Sequence, residues 1–414
     1  APMSKTLSPV PAVALSLVLA LLMGCTPALP SQTPEVPPVS PTVKPTPTVK
    51  PTPTPDPIAA QVAALTTAQK VSQLLVAGIE GTKVGEDGKL ALSHYQVGGI
   101  ILFGTNVKNA KQLVALTNRL KKLSPDIPPF LCVDEEGGTV SRMPPEVTDV
   151  PPALDMGNRG DATLCRKLGG VLGAECAAFG FNMDFAPSLD IWSNPENTVI
   201  GTRAFGTTWD RVVQMALPVV QGISDTGVIP VVKHFPGHGD TAIDSHKALP
   251  IVTKTENQLA ENELVPFQKA IDSGVPCVMV SHILLTQLDP EAPATLSYPV
   301  VTELLRQRMG FSGVVATDDL TMGALAQSYT VGEAAVLAVN AGCDLLLVCH
   351  KTENLQSAHS ALMDAVADGT ITEARLNESV TRILTLKAAY GLTADPVPAP
   401  DIAALNAQIA ELTP

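Results

Sequence analysis

The densest cluster of proton-transferring side chains lies in one stretch, Lys233-His-Phe-Pro-Gly-His-Gly-Asp-Thr-Ala-Ile-Asp-Ser-His246. Asp244 and His246 are two residues apart, so in an extended segment their side chains share a face. A carboxylate beside an imidazole fixes its tautomer and raises its basicity. Such a dyad suits general acid/base chemistry near neutral pH. His234, His238, His246, Asp240 and Asp244 also offer ligands for a metal, although the stretch contains no HExxH. Two glycines and a proline predict an excursion able to move. A second chemical feature is Asp318, which directly follows Val314-Val315-Ala316-Thr317. A carboxylate there can act as a nucleophile or stabilise a developing cation. Asp319 fits the N-cap of the following segment better.

These groups need rigid elements beneath them. Eight apolar runs occur in order: Leu74–Ile79, Gly98–Phe103, Phe130–Val133, Phe181–Phe185, Val228–Val232, Cys277–Val280, Gly313–Thr317 and Asp344–Val348. They are rich in Val, Ile and Leu without polar alternation, which marks strands covered on both faces. Helical spacing separates most of them, over Ala110–Lys122, Ala162–Phe179, Trp209–Thr226, Glu256–Ser273, Val300–Met309 and Val331–Ala341. Gly180, Gly227, Gly274 and Gly342 stand where helix ends need a left-handed residue. Strand–helix alternation over this length predicts an α/β fold, a (β/α)8 TIM barrel. The alternative, a doubly wound open sheet, is weakened because no GxGxxG follows the first strand. In a barrel the site sits just past the strand C-termini. The polar clusters fall there: Asp134-Glu-Glu-Gly-Gly138, Lys233-His234, Ser281-His282 and Asp318-Asp319. His282 is expected to line the pocket without a direct role.

Composition separates two parts. The chain has 414 residues, 45% hydrophobic, with a net charge of −13. That is too apolar for a disordered chain and too charge-interrupted for a polytopic membrane protein. Fifteen of the 37 prolines lie in residues 1–57, a segment with a charge of +1, so the remainder carries −14. An acidic body argues against nucleic acid as a partner. Residues 1–25 read as a signal peptide: Lys5 precedes the apolar run Ala12–Met23, too short to span a bilayer. The run ends in Leu22-Met23-Gly24-Cys25, which resembles a bacterial lipobox and makes Cys25 the expected lipidation site and membrane attachment. Residues 26–57 hold 12 prolines among 32 residues and predict a polyproline-type spacer that reaches roughly 100 Å when extended. A barrel domain is expected over 58–395 and a C-terminal tail over 396–414. In the tail, Ile402, Leu405, Ile409 and Leu412 mark a short packing helix. Cys132, Cys165, Cys176, Cys277, Cys343 and Cys349 form no CxxC pair, and buried free thiols are expected.

Four stretches, in order, carry a family resemblance: Asp134-Glu-Glu-Gly-Gly-Thr-Val-Ser-Arg142, Gly201-Thr-Arg-Ala-Phe-Gly206, the Lys233–His246 loop and Ala316-Thr-Asp-Asp-Leu-Thr-Met322. Together they resemble glycoside hydrolase family 3, in its β-N-acetylhexosaminidase branch and lipoprotein form, over roughly residues 58–390. The resemblance implies a TIM barrel and a retaining exo-acting enzyme that removes terminal GlcNAc from glycans such as peptidoglycan-derived muropeptides. It implies Asp318 as nucleophile, His246 as general acid/base and Asp244 as its orienting partner. Asp134, Arg142, Arg203, Lys233 and His234 would bind the non-reducing sugar, and no cofactor or metal is implied. Carboxylates can hold sugar hydroxyls, and Arg and Lys donate to oxygen acceptors. Thr139 stands where the family usually has Arg, while Arg142 occupies its expected place. A phosphorylase of the same family and a non-catalytic glycan-binding surface lipoprotein are the alternatives. The N-terminal segment implies a place outside the cytoplasm.

Overall fold

The computed structural model describes residues 56–124, 126–241, 244–245 and 247–413. The expected signal segment, Cys25 and nearly all of the spacer lie outside the described residues, as does His246. The first described helix, Pro57–Ala64, starts at the last residue of the expected spacer; the Asp56 side chain caps it, accepting from Ile58 N, and Pro57 occupies its first turn.

All eight expected strands form: β1 (Leu75–Gly78), β2 (Gly99–Ile101), β3 (Phe130–Val133), β4 (Met183–Asp184), β5 (Ile229–Phe235), β6 (Cys277–Val280), β7 (Val314–Thr317) and β8 (Leu346–Val348). They pair in parallel in the ring order β8-β1-β2-β3-β4-β5-β6-β7. A parallel bridge between Ala316 and Leu345 closes the ring, with Thr317 N donating to Leu345 O at 2.8 Å. The open-sheet alternative is thereby excluded, and the fold is a (β/α)8 barrel. Nearly every strand residue is buried, because the side chains fill the barrel on one face and meet the helices on the other.

Outside the barrel, helices Ala162–Ala178 and Trp209–Asp225 approach closely at glycine. A Cβ on Gly169 would lie 2.2 Å from Val219 O, and one on Gly222 equally near Arg166 O. Gly180, Gly227, Gly274 and Gly342 all have positive φ at their helix ends, as expected. The segment expected as one helix over Glu256–Ser273 is two, Glu256–Glu261 and Leu264–Asp272. Pro266 has no N–H to give to Asn262 O, and the chain breaks at Asn262. The tail forms helix Ile402–Ala410, buries Leu405, Ile409 and Leu412, and is tied by Arg159 Nη1 to Leu412 O at 2.7 Å. All six body cysteines are free and buried. Among the described residues no helix is long and apolar enough to cross a membrane.

Ring closure rests on a buried charge. Asp344, just before β8, is fully buried and accepts from Arg306 Nη2 at 2.5 Å, Ser379 Oγ at 2.6 Å, Arg382 Nη1 at 3.1 Å and Val315 N at 3.0 Å. Its backbone N–H reaches Val315 O at 2.8 Å, so this carboxylate pins β8 to β7 and to two outer helices. Removing one partner of a buried charge network strands the others. Asp344→Ala is therefore expected to cost about 3–5 kcal/mol in urea or thermal unfolding.

Candidate active site

Seven of the eight strands, with the loops after them, converge on one cavity of about 420 Å³. Asp134, Arg142, Arg203, Lys233, His234 and Asp318 all line it. Thus six of the nine residues singled out from sequence meet in one place. Asp244 is not among its lining residues, but the adjacent Ser245 is. His246 and Cys25 lie outside the described residues.

The floor is an ion-pair lattice centred on Lys233. Its ammonium sits 2.6 Å from Asp134 Oδ1 and 2.6 Å from Glu136 Oε1. Burial would lower the Lys233 pKa, but Asp134 and Glu136 reverse the effect and raise it. Glu136 also accepts a fork from Arg203, Nε at 2.9 Å and Nη2 at 2.8 Å. Burial alone would push the Glu136 carboxyl up; Arg203 and Lys233 instead hold it well below the usual range. Arg203 Nη1 is fixed by Val199 O at 3.1 Å. A planar guanidinium held this way is pre-organised for oxygen acceptors.

Two consecutive residues of β5, Lys233 and His234, both reach the cavity although a regular strand alternates its faces. A register irregularity between Val232 and Phe235 permits this. His234 Nδ1 lies 2.6 Å from Asp190 Oδ2. With the proton on Nδ1, Nε2 is left as an acceptor facing Arg203 Nη2 at 3.4 Å. Asp190 also accepts from His238 N at 2.6 Å and Ser188 Oγ at 2.8 Å. Burial opposes its charge, yet His234 and His238 hold its carboxyl far below the usual range.

His238 braces the base of the following loop. Its ring meets Thr241 Oγ1 at 2.7 Å through Nδ1 and Ser245 Oγ at 3.0 Å through Nε2, and its carbonyl accepts from Asn197 Nδ2 at 2.7 Å. Both ring nitrogens are therefore taken up by hydroxyls. Burial first, then His234, lowers the His238 pKa. Ser245 O accepts from Ala324 N at 3.1 Å, tying this loop to the one after β7. Asp244 lies between, its carboxylate 3.8 Å from Lys247 Nζ.

Asp318 N donates to Val280 O at 2.9 Å, and its Oδ1 accepts from Asp319 N at 2.8 Å. Asp319 is not the helix cap expected from sequence. The short helix Gly323–Ala326 starts later, after Met322, while Asp319 Oδ1 accepts from Thr321 N at 3.0 Å and Cys349 N at 3.1 Å. It locks the β7 turn to the end of β8. His282 does not line the cavity. It is fully buried, bonded to Thr295 Oγ1 at 2.8 Å and Asp319 O at 2.9 Å, and supports the turn from behind.

Sequence reasoning passed over Glu136, Asp190, Ser245, Phe103 and His350. Glu136 lay in plain view within the Asp134-Glu-Glu-Gly-Gly138 stretch, whereas Asp190 carries no local signal. The turn after β3 needs its glycines: Gly137 and Gly138 have φ of 78° and 55°, folding the chain so that Glu136 N meets Val140 O at 2.9 Å. Glu135, between the two acids that hold Lys233, points the other way. Its Oε2 accepts from Arg142 N at 2.7 Å and Ser141 Oγ at 3.0 Å, which places Arg142.

Beneath this turn Glu135, Asp184 and Glu175 are fully buried, and both oxygens of Glu175 lack hydrogen-bond partners. Burial pushes Glu135 up to about 7 and raises Glu175 and Asp184 well above the carboxylate range; Glu135 and Asp184 add repulsion at Glu175. An uncharged carboxyl is far less costly to bury than a carboxylate.

The chain belongs to glycosyl hydrolase family 3: the family model for its N-terminal domain matches residues 66–386. It is 32% identical over 372 residues to beta-hexosaminidase A of Pseudoalteromonas piscicida, covering 80% of this chain and 62% of that one, so the chain spans less than two thirds of that relative. Two solved structures are similar. A family 3 beta-N-acetylglucosaminidase from Paenibacillus sp. str. FPU-7 matches with a TM-score of 0.79 and 41% identity, over 84% of this chain and 68% of that one. A beta-N-acetylhexosaminidase from Beutenbergia cavernae DSM 12333 matches with a TM-score of 0.73 and 30% identity, over 80% of this chain and all of that one.

Two outcomes are expected. Glu136→Gln removes the charge shared by Arg203 and Lys233 and lowers kcat/KM on a GlcNAc glycoside by about 100-fold, read by steady-state kinetics. The contribution of Glu135, Glu175 and Asp184 to stability is also expected to fall as pH rises from 5 to about 7, while the lowered His238 works in the opposite sense. The raised carboxyls keep protons in the folded state that the unfolded chain has lost, so their contribution is full below the unfolded values and lost through the folded ones. Lys387, lowered to about 7 by burial, changes its contribution only above that window. Glu175→Gln flattens the profile, measured as urea midpoints across pH.

Proposed function

We propose that this chain is a retaining exo-β-N-acetylglucosaminidase that removes terminal non-reducing GlcNAc from glycans, with peptidoglycan-derived muropeptides as its natural substrates. The observation that carries the reading is the placement of Asp318 in the same cavity as Asp134, Arg142, Arg203, Lys233 and His234. The hydrogen-bonding groups come from the ends of β3 and β5 and the loop after β4, whereas the nucleophile comes from β7, across the mouth. A GlcNAc ring held between them presents its anomeric carbon to Asp318.

In the first step an Asp318 oxygen attacks the anomeric carbon as the glycosidic C–O bond breaks. His246, oriented by Asp244, gives its proton to the leaving oxygen. The transition state carries oxocarbenium charge, which Asp318 stabilises. In the second step water attacks the same carbon, gives its proton to His246 and frees the Asp318 carboxylate. Two inversions leave the configuration unchanged. The Lys233–Glu136–Arg203 lattice holds its donors in place before substrate arrives, so little reorganisation is left for the transition state. Lipidation at Cys25, with the proline-rich spacer behind it, belongs to the same reading: it would tether the barrel outside the cytoplasm within reach of wall fragments.

Asp318→Asn is expected to lower kcat by at least about 10³-fold on an aryl β-GlcNAc glycoside. A 5-fluoro glycosyl fluoride of GlcNAc is expected to label Asp318 in peptide mass mapping, and a label elsewhere overturns the assignment. Free GlcNAc is expected with or without added phosphate. Formation of the sugar phosphate would instead make the chain a phosphorylase.

A further inference from the structure

The wall of the mouth beside β7 carries a stacked pair of rings that no step above uses. Phe103 lies two residues past the end of β2, and His350 two residues past the end of β8. Their ring centroids are 5.4 Å apart with an interplanar angle of 24°. The His350 side chain is 63% exposed, so its outer face is open, and Nε2 lies 3.8 Å from Asp319 Oδ2. Both rings line the catalytic cavity and also an adjoining groove of about 650 Å³ that holds Glu80, Thr105 and Lys351.

We propose that the His350–Phe103 pair is the platform for the leaving sugar, the ring attached to GlcNAc across the scissile bond, and that the adjoining groove receives its hydroxyls. The inference rests on the reading of Asp318 as nucleophile. With the anomeric carbon at the end of β7, its substituent passes over a neighbour of β7. On the β6 side Ser281 and His282 are both fully buried and offer no open wall. On the β8 side His350 is open. One face of a pyranose ring presents only C–H groups, and an aromatic plane matches it.

The backbone is built to present the pair. Asp319 holds Cys349 N at 3.1 Å, so the carboxylate beside the nucleophile also sets the start of the His350 segment. Asn354 Nδ2 donates to His350 O at 2.8 Å. Lys351 sits at φ 68°, ψ 128°, a sparsely populated conformation for a residue with a Cβ, and it faces the groove. Strain of this kind costs on the order of 1–3 kcal/mol and persists where surrounding structure imposes it.

The test compares two probes on the full chain, N,N′-diacetylchitobiose as substrate and GlcNAc as inhibitor. GlcNAc, a single ring, is expected to sit between Asp318 and the Asp134–Arg203–Lys233 side of the cavity, away from His350. His350→Ala is expected to lower kcat/KM on the disaccharide about tenfold. The inhibition constant of GlcNAc is expected to stay within about twofold, which also shows that the variant is folded. His350→Phe, which keeps the ring face and removes the titratable nitrogens, is expected to recover most of the loss. The platform is overturned if His350→Ala leaves the disaccharide unaffected, if GlcNAc inhibition weakens in parallel, or if Phe does no better than Ala. Failure of the parent chain to cleave the disaccharide at all overturns the activity itself, and the platform with it.

Discussion

An ammonium only 1% exposed at the end of β5 sets the terms for everything around it. Lys233 cannot remain charged there without compensation. Asp134 and Glu136, each 2.6 Å away, supply it. Two carboxylates beside one ammonium leave an excess negative charge, which the Arg203 fork on Glu136 balances. Each side chain is thereby immobilised by the charge of the next. The lattice joins β3, the loop after β4 and β5, so the barrel end is braced by the same bonds that face the cavity.

A second layer lies behind the first. Asp190 orients His234 and holds His238 by its backbone; His238 in turn holds Thr241 and Ser245. On the opposite wall Asp319 joins the β7 turn to β8, with His282 behind it. These residues act through others: they fix what a substrate would meet. The buried acids Glu135, Asp184 and Glu175 form a third layer, where position is obtained at the cost of burying carboxyl groups. Glu135 uses one oxygen to place the Arg142 backbone and leaves the other without a partner. Functional placement and stability pull against each other there, and protonation is how the fold reconciles them.

Much of the architecture was legible because it depends on local pattern. Runs such as Leu131-Cys132-Val133 are apolar on both faces, as a strand between barrel interior and helices must be. Gly180 and Gly342 mark helix ends because few other residues accept positive φ. Where local pattern was ambiguous, reading it failed. Apolar spacing over Glu256–Ser273 suggested one helix, but Pro266 removed a hydrogen bond that periodicity does not register. Asp319 looked like a helix cap by its place in the chain. Its partner is Cys349, thirty residues on, which no local rule reveals. His282 sits at a strand end like the cavity residues, yet the turn of the chain carries it behind the wall.

The sequence by itself determined the barrel, because alternation of apolar runs and helical spacing is a short-range property. It also determined the family, because the motifs around Asp134, Arg203, Lys233 and Asp318 are contiguous strings. Only the tertiary structure decided which acids gather at Lys233: Asp134, which lines the cavity, and the buried Glu136 join it while Glu135, between them, turns into the body. It also decided that Asp190 supports His234 and that Phe103 and His350, 247 positions apart in the chain, stack as one surface. The physical reason is that Coulomb and packing energies depend on distance in space. Ring closure between β7 and β8 brings those distances down to a few ångströms, and chain order carries no record of them.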